Sequence, residues 1–335
     1  MKYHELRSKI IRLAAKERTP VLGEFELTAR CNLACAMCYV VDQQAHDLTT
    51  ETWIDIFDSA VDAGLMYAVL TGGEVFMRDD FAILYNRLYD MGVRITVFTN
   101  GTHVPEHIID VFKKRPPESV TLTVYGASDK TYELVTGKKG AFSRLLNSVG
   151  LLSVEEIPFT LRTLPLKPIY DELNYVIEYA KACEVPLFFA SYLGPTRQGN
   201  FDHATMRLTP EELIDFSNRI RHAFGFDAQQ SLSADTKTTT CAALKSAYFI
   251  NYEGLMTPCA MATKPARSVL DDAILPVFQS LSTMFSDVEA YHGCASCDLK
   301  EACMQCYARR LLEGNAEACA PYLKAHATLK GRVKS

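Results

Sequence analysis

The sequence predicts an α/β fold with parallel strands, and three observations carry that prediction. Short β-branched runs alternate with amphipathic stretches between Gly23 and Ser191. Two of those stretches stop on a glycine, as helices do. The chemistry-bearing residues cluster just after the apolar runs end, where open sheets and barrels both place their sites.

The strand candidates are residues 21–27, 66–70, 95–99, 120–124, 160–164 and 187–191. Helices are expected at 49–63, stopped by Gly64, at 81–91, stopped by Gly92, and at 105–114, 141–155 and 170–183. Six βα units in succession imply right-handed crossovers, in a doubly wound sheet or in part of a barrel. Periodicity does not choose between the two. Ahead of the first unit, residues 1–18 read as an amphipathic helix with Leu6, Ile10 and Leu13 on one face. Behind the last, Thr209-Pro210-Glu211-Glu212 has the form of a capping box with proline at the first helical position. The chain then divides into an N-terminal helix (1–20), the βα region (21–228), a polar Ser/Thr-rich linker (229–240) and a cysteine-rich module (241–335).

Composition bounds the function. At 335 residues, 48% apolar and 22% charged, the chain has room for one sizeable core and an added module. A net charge of −5 gives no basic surface for nucleic acid. No run approaches the roughly 18–20 apolar residues that span a bilayer, and the N-terminus lacks the features of a signal peptide. The expectation is a cytoplasmic protein without nucleic-acid or membrane partners. In that compartment eleven cysteines point to metal binding or catalysis. Three fall at 31–38, seven at 241–319, and Cys183 stands alone as a buried small hydrophobe.

Cys31, Cys35 and Cys38 are spaced too tightly for a paired-knuckle zinc site. Three thiolates can instead hold three irons of a 4Fe–4S cluster and leave the fourth open. On the cysteines alone, structural zinc or an electron-transfer cluster stays an alternative. Thr71-Gly72-Gly73-Glu74 follows the next apolar run, Thr99-Asn100-Gly101 ends the third, and Thr123-Val124-Tyr125-Gly126-Ala127 ends the fourth. Arg162 sits on the fifth. Trp53, at helical spacing with Ile54, Ile56 and Phe57, reads as core, and His46, His103, His107 and His203 receive no role.

Together these residues resemble the radical S-adenosylmethionine (SAM) enzymes. Met37 fills the apolar position of the CxxxCxΦC motif, where an aromatic is more usual, and Tyr39 follows the last cysteine. The resemblance implies a partial (β/α)6 TIM-like barrel with a cluster on Cys31, Cys35 and Cys38. It implies that the Gly72-Gly73-Glu74 turn receives the amino group of SAM and that Thr123 approaches its ribose. Arg162 would take the SAM carboxylate bidentately, and Asn100 is included among the cofactor contacts.

The C-terminal cysteines resemble the SPASM module of peptide-modifying radical SAM enzymes. Cys241 and Cys259 frame Gly254 as Cys-x12-Gly-x4-Cys, followed by Cys294-x2-Cys297-x5-Cys303-x2-Cys306 and then Cys319. By order, Cys294, Cys297, Cys303 and Cys319 would hold one auxiliary 4Fe–4S cluster, and Cys241, Cys259 and Cys306 the other. The family usually has three residues, not two, before the position of Cys306. No further cysteine lies between Cys241 and Cys259, so that cluster is left with an open iron or a non-cysteine ligand. A zinc ribbon is the alternative for this module.

The resemblance implies an enzyme carrying SAM and three clusters, reduced by flavodoxin or ferredoxin. It would cleave SAM to a 5′-deoxyadenosyl radical and oxidise a ribosomally made precursor peptide, forming a thioether or carbon–carbon crosslink. About 20 residues precede the first strand, so either a separate protein would deliver the leader or the barrel mouth and module would bind the peptide directly. Three other readings stand beside this one. A sulfatase maturase would carry aspartate where Ala260 stands. A dehydrogenase or other enzyme acting on a sugar, nucleoside or tetrapyrrole fits the same motifs. An iron–sulfur electron carrier would need neither the GGE turn nor a substrate mouth.

Overall fold

The computed structural model describes residues 3–40, 46–225, 241–289, 294, 296–303, 306–314 and 319–332. Helix α1 (Tyr3–Glu17) leads into six strands: β1 (Leu22–Glu26), β2 (Tyr67–Thr71), β3 (Arg94–Thr99), β4 (Ser119–Val124), β5 (Phe159–Thr163) and β6 (Leu187–Phe189). Between them lie α2 (Thr50–Asp62), α3 (Phe81–Asp90), α4 (Glu106–Lys114), α5 (Asp129–Thr136), α6 (Ala141–Val154) and α7 (Lys167–Ala182), and α8 (Pro210–Phe224) follows. All neighbouring pairs from β1 to β6 are parallel. The six expected βα units are present. Helix α5 was not anticipated, because it is two turns long and carries no extended apolar period; the Ser128 hydroxyl caps it by accepting from Thr131 N–H. At α8 the capping box forms as the sequence foretells, with Glu212 N–H donating to Thr209 Oγ1 at 3.2 Å and Thr209 N–H to Glu212 Oε2 at 2.7 Å.

The sheet does not stop at the barrel. Strand β7 (Ala247–Ile250) pairs parallel with β1, and a hairpin returns through β8 (Leu255–Thr257) to β9 (Arg267–Ser268). The strand order is β6-β5-β4-β3-β2-β1-β7-β8-β9. The first strands of the cysteine-rich region therefore extend the barrel sheet, and the expected linker at 229–240 lies outside the described residues. Helix α9 (Ile274–Glu289) packs on α2 and on β8 and β9. Helices α10 (Tyr307–Glu313) and α11 (Pro321–Arg332) complete the chain. The buried Arg207–Glu313 pair, at 2.7 and 2.9 Å, ties α10 to the segment before α8, and α11 packs on α8 itself.

Register divides the sheet into two unlike faces. Phe25, Leu70, Val97, Leu122 and Leu161 share the outer face and are fully buried beneath the helices. Phe25 meets Trp53 and Phe57 of α2 edge-on, which puts Trp53 in the core as expected. Each such side chain contributes about 1.5–3 kcal/mol by leaving water. Glu24, Val69, Thr96 and Ser119 share the inner face, as do Phe98, Thr121 and Thr160, and Thr123 with Arg162 and Phe188. That face is polar, with the Thr121 and Thr160 hydroxyls 3.0 Å apart. A closed barrel fills its interior with branched apolar residues, so this interior is suited to a polar guest. Among the described residues no helix is long and apolar enough to cross a membrane.

Candidate active site

The loop that carries Cys31, Cys35 and Cys38 leaves the end of β1 and is held by its own backbone. Ala34 N–H donates to Thr136 O at 2.9 Å and Ala36 N–H to Val135 O at 3.2 Å. The loop thus satisfies carbonyls that the C-terminus of α5 would otherwise leave orphaned. On its other side Gly73 N–H donates to Thr28 O and Glu74 N–H to Arg30 O, both at 2.8 Å. Buried Arg78 closes the flanks, donating to Leu27 O at 3.0 Å and Leu48 O at 3.1 Å.

This docking explains both glycines of the GGE turn. A methyl group on Gly73 would stand 2.3 Å from Arg30 O and 2.6 Å from Ala29 O, and one on Gly72 2.6 Å from Thr28 O. Neither position has room for a side chain, because the cysteine loop already occupies it. Gly73→Ala is expected to cost about 1–3 kcal/mol by overpacking, read by chemical denaturation. Gly150→Ala, on an open helical face with nothing within 4 Å, is the control and should gain up to about 1 kcal/mol. Equal effects of the two variants would remove this account of the turn.

Glu74 turns inward. Its Oε2 accepts from Asn100 N–H at 2.7 Å and its Oε1 from the Thr99 hydroxyl at 2.7 Å and Phe76 N–H at 3.3 Å. Burial pushes its carboxyl up to about 7 against the pull of those three bonds. The side chain fixes the end of β3, and the backbone of Gly72-Gly73 is what borders the cysteine loop. Asn100 Nδ2 donates to Asn32 Oδ1 at 2.8 Å and lies 3.7 Å from Cys31 Sγ. Asn100 Oδ1 in turn accepts from Thr102, at 2.8 Å from the N–H and 2.6 Å from the hydroxyl. Asn100 thus orients Cys31 through a network whose other members, Asn32 and Thr102, the sequence reading did not single out.

The three thiols lie within electrostatic reach of one another. Burial first, then the neighbouring sulfurs, pushes Cys35 up to about 12, and burial with nearby Glu74 and Cys38 brings Cys31 to about 11. Burial also raises Cys38. The nearby Tyr125 hydroxyl pulls Cys35 the other way, an influence the sequence reading passed over. Gly126, at φ 142°, lets the chain turn there, and Glu172 of α7 clamps the turn by accepting from Ala127 N–H at 2.6 Å, Thr131 Oγ1 at 2.8 Å and Ser128 Oγ.

Beside this loop the inner face carries a cluster of charged side chains, termed the chamber. Glu26 accepts both guanidinium ends of Arg197, at 2.9 and 3.0 Å, with the two side chains only 1% and 10% exposed. Arg197 also donates through Nε to Ala260 O at 2.5 Å, and it lies 4.6 Å from the Tyr39 ring and 5.1 Å from that of Phe249. Glu24 and Arg162 line the same space, Arg162 resting 5.4 Å from the Phe98 ring. Strands β1 and β5 are separated in the sheet by three others, yet Glu24 feels the charge of Arg162. The sheet therefore curves enough to bring the two within electrostatic reach. Thr123 neighbours Arg162 in the register. A groove of about 490 Å³ between α7 and α8, lined by Asn174, Lys181, Arg219 and His222, lies outside the barrel and away from this chemistry.

The C-terminal cysteines fall into two groups. Cys259 lies within electrostatic reach of Cys241 and Cys306, and burial with those neighbours pushes it up to about 11. Cys319 lies near Cys303, Cys294 and Cys297, and burial with their charge raises it. Arg310 faces Cys294, whereas Arg309 faces Cys306 and Cys259. Cys183 caps α7, and burial and the Tyr179 hydroxyl act on it in opposite senses. His203 is buried against Gly194 O at 3.0 Å, while His103 and His107 are exposed. Among the described residues no three Cys, His, Asp or Glu converge on a single ion; the ligands of a four-iron cluster each take a different iron and stand further apart.

Comparison with known proteins follows from this geometry. Residues 25–180 match the model of the radical SAM superfamily. The AdoMet-dependent heme synthase of Methanosarcina barkeri is 24% identical over 327 residues, which is 89% of this chain and 94% of that protein. SkfB, the sporulation killing factor maturation protein of Bacillus subtilis, is 24% identical over 266 residues, 77% of this chain and 64% of its own length. Among solved structures, Streptococcus suis SuiB bound to SAM superposes with a TM-score of 0.73 over 96% of this chain and 81% of SuiB. It is 14% identical, a likeness of fold, and SuiB has also been solved bound to the precursor peptide SuiA.

Proposed function

We propose that this chain, whose residues 25–180 form a radical SAM domain, oxidises a ribosomally made peptide held in the chamber beneath the Cys31–Cys38 loop. One observation carries the reading: the cysteine loop, the Gly72-Gly73 turn and the charged inner face adjoin, and Arg197 links them to the residue after Cys259. When bound, the cofactors supply one-electron cleavage of SAM and hydrogen-atom abstraction. The residues present fit that equipment. Three thiols within electrostatic reach of one another and a glycine turn too tight for any side chain suit the SAM-binding cluster.

Cys31, Cys35 and Cys38 hold that cluster, and Tyr125 and Asn100 orient Cys35 and Cys31. Arg162, whose guanidinium carries no hydrogen bond or ion pair among the described residues, takes the SAM carboxylate, with Thr123 toward the ribose and the Gly72-Gly73 backbone toward the amino group. Cys294, Cys297, Cys303 and Cys319 hold one auxiliary cluster, and Cys241, Cys259 and Cys306 the other. A flavodoxin or ferredoxin supplies electrons, and a separate small protein or the module itself recruits the leader. Support for a peptide comes from the maturation role in the name of SkfB. A tetrapyrrole is the second reading, favoured by the heme synthase match along nearly the whole chain.

Anaerobic reconstitution should give about 12 irons per chain, four for each of three clusters. The reconstituted enzyme, reduced with dithionite and given SAM, is then offered peptides encoded beside its own gene and, separately, a propionate-bearing tetrapyrrole. A peptide product lighter by two hydrogens supports the first reading. Turnover of the tetrapyrrole alone would replace it with the second.

A further inference from the structure

The inner face holds a carboxylate that neither the fold nor the chemistry above employs. Phe25 faces the helices, so Glu24 and Glu26, its neighbours on β1, face the interior. Glu26 is committed to Arg197. Glu74 is committed to the end of β3. No hydrogen bond or ion pair among the described residues reaches Glu24, although Arg162, Glu26 and Arg197 all lie within electrostatic range. It pairs in register with Val69 on one side and Phe249 on the other, both apolar.

The charges of the chamber leave Glu24 over. Glu26 and Arg197 cancel as a bidentate pair. Under the reading proposed above, Arg162 is matched by the SAM carboxylate and the SAM ammonium belongs to the Gly72-Gly73 turn. Once a guest displaces the water that reaches this partly buried carboxylate, the guest itself must supply the donor. Depth narrows the choice. Glu24 lies two residues below the strand end at Glu26, roughly 7 Å further into the barrel at the rise of a β-strand. A long, flexible cationic side chain reaches that far while its backbone stays at the mouth.

We infer that Glu24 is a specificity residue that receives the cationic head of a lysine or arginine side chain of the peptide substrate. The inference rests on the chamber being the peptide site. Charge-assisted hydrogen bonds of this kind favour the charged partner roughly tenfold or more. A substrate whose reacting arms carry carboxylates would be repelled by Glu24 instead.

The test uses the holoenzyme with SAM bound. It is equilibrated with two sets of end-blocked tetrapeptides that are identical except that lysine or arginine in one set is norleucine or citrulline in the other. Peptides retained after ultrafiltration are quantified by mass spectrometry. Wild type should retain the basic set roughly tenfold or more over the neutral set, and Glu24→Gln should erase that preference. Glu24→Asp, still anionic, should keep part of it, which separates loss of charge from loss of fold. A preference that survives in Glu24→Gln, or equal retention of both sets by wild type, overturns the assignment and leaves the peptide reading standing. Retention of neither set, with a propionate-bearing tetrapyrrole retained instead, overturns the peptide reading itself.

Discussion

Replacing Cys31, Cys35 and Cys38 together by alanine is expected to abolish formation of 5′-deoxyadenosine from SAM while the chain still folds. The two halves of that expectation rest on different parts of the structure. The loop owes its shape to backbone bonds from Ala34, Ala36, Gly73 and Glu74 and to the Asn32–Asn100–Thr102 network. None of these uses a sulfur as an essential partner, so the fold should tolerate the loss. The reductive chemistry has nowhere else to reside, since the remaining cysteines belong to the C-terminal groups or, in Cys183, cap a helix. Iron content should fall by about a third, measured on reconstituted protein beside a thermal melt. Cys294→Ala or Cys297→Ala should keep SAM cleavage but lose its coupling to product, provided the module folds without that metal. Deoxyadenosine formed by the triple variant at the wild-type rate would end the assignment of Cys31, Cys35 and Cys38.

Much of this could be read from the sequence, and where it could not the reason is physical. The six βα units announced themselves because short β-branched runs alternate with helices that carry period, caps and stops. The GGE turn was recognisable as a motif. Its cause was not, because the need for glycine at 73 comes from Arg30 and Ala29, more than forty positions earlier in the chain. Asn32, Thr102, Tyr125 and Glu172 were missed for the same reason: each is an ordinary polar residue until the fold brings its partner near. Strand β7 escaped as a member of the barrel sheet because its pairing with β1 spans more than two hundred residues. A signal for the chamber was present but unread. Glu24 and Glu26 alternate with Phe25 in a strand otherwise built for burial, and carboxylates at such period-2 positions belong to a face with a polar occupant.

The Arg197–Glu26 pair is where a small change should have the largest effect on stability. Arg197 lies in the segment after β6, the last barrel strand, and Glu26 ends β1, five places away across the sheet. Among the described residues no strand pairing joins β6 to β1, so this bidentate pair bridges the side of the barrel that the sheet leaves unpaired. Through the same guanidinium it holds Ala260 O, beside Cys259, and it stacks on Tyr39, beside Cys38. Removing one partner strands a buried charge, at a cost of about 3–5 kcal/mol, whereas replacing both by apolar residues of similar volume is often close to neutral. Glu26→Leu and Arg197→Leu should therefore each lower stability by about that amount, and the double variant should recover most of it. Urea denaturation of the three proteins measures the coupling directly. The double variant should still change the EPR signals of the reconstituted clusters, because the bridge between the two cysteine loops is gone even where stability returns. Additive single losses, with no recovery in the double variant, would show that Arg197 and Glu26 act separately and that the barrel is closed by something else.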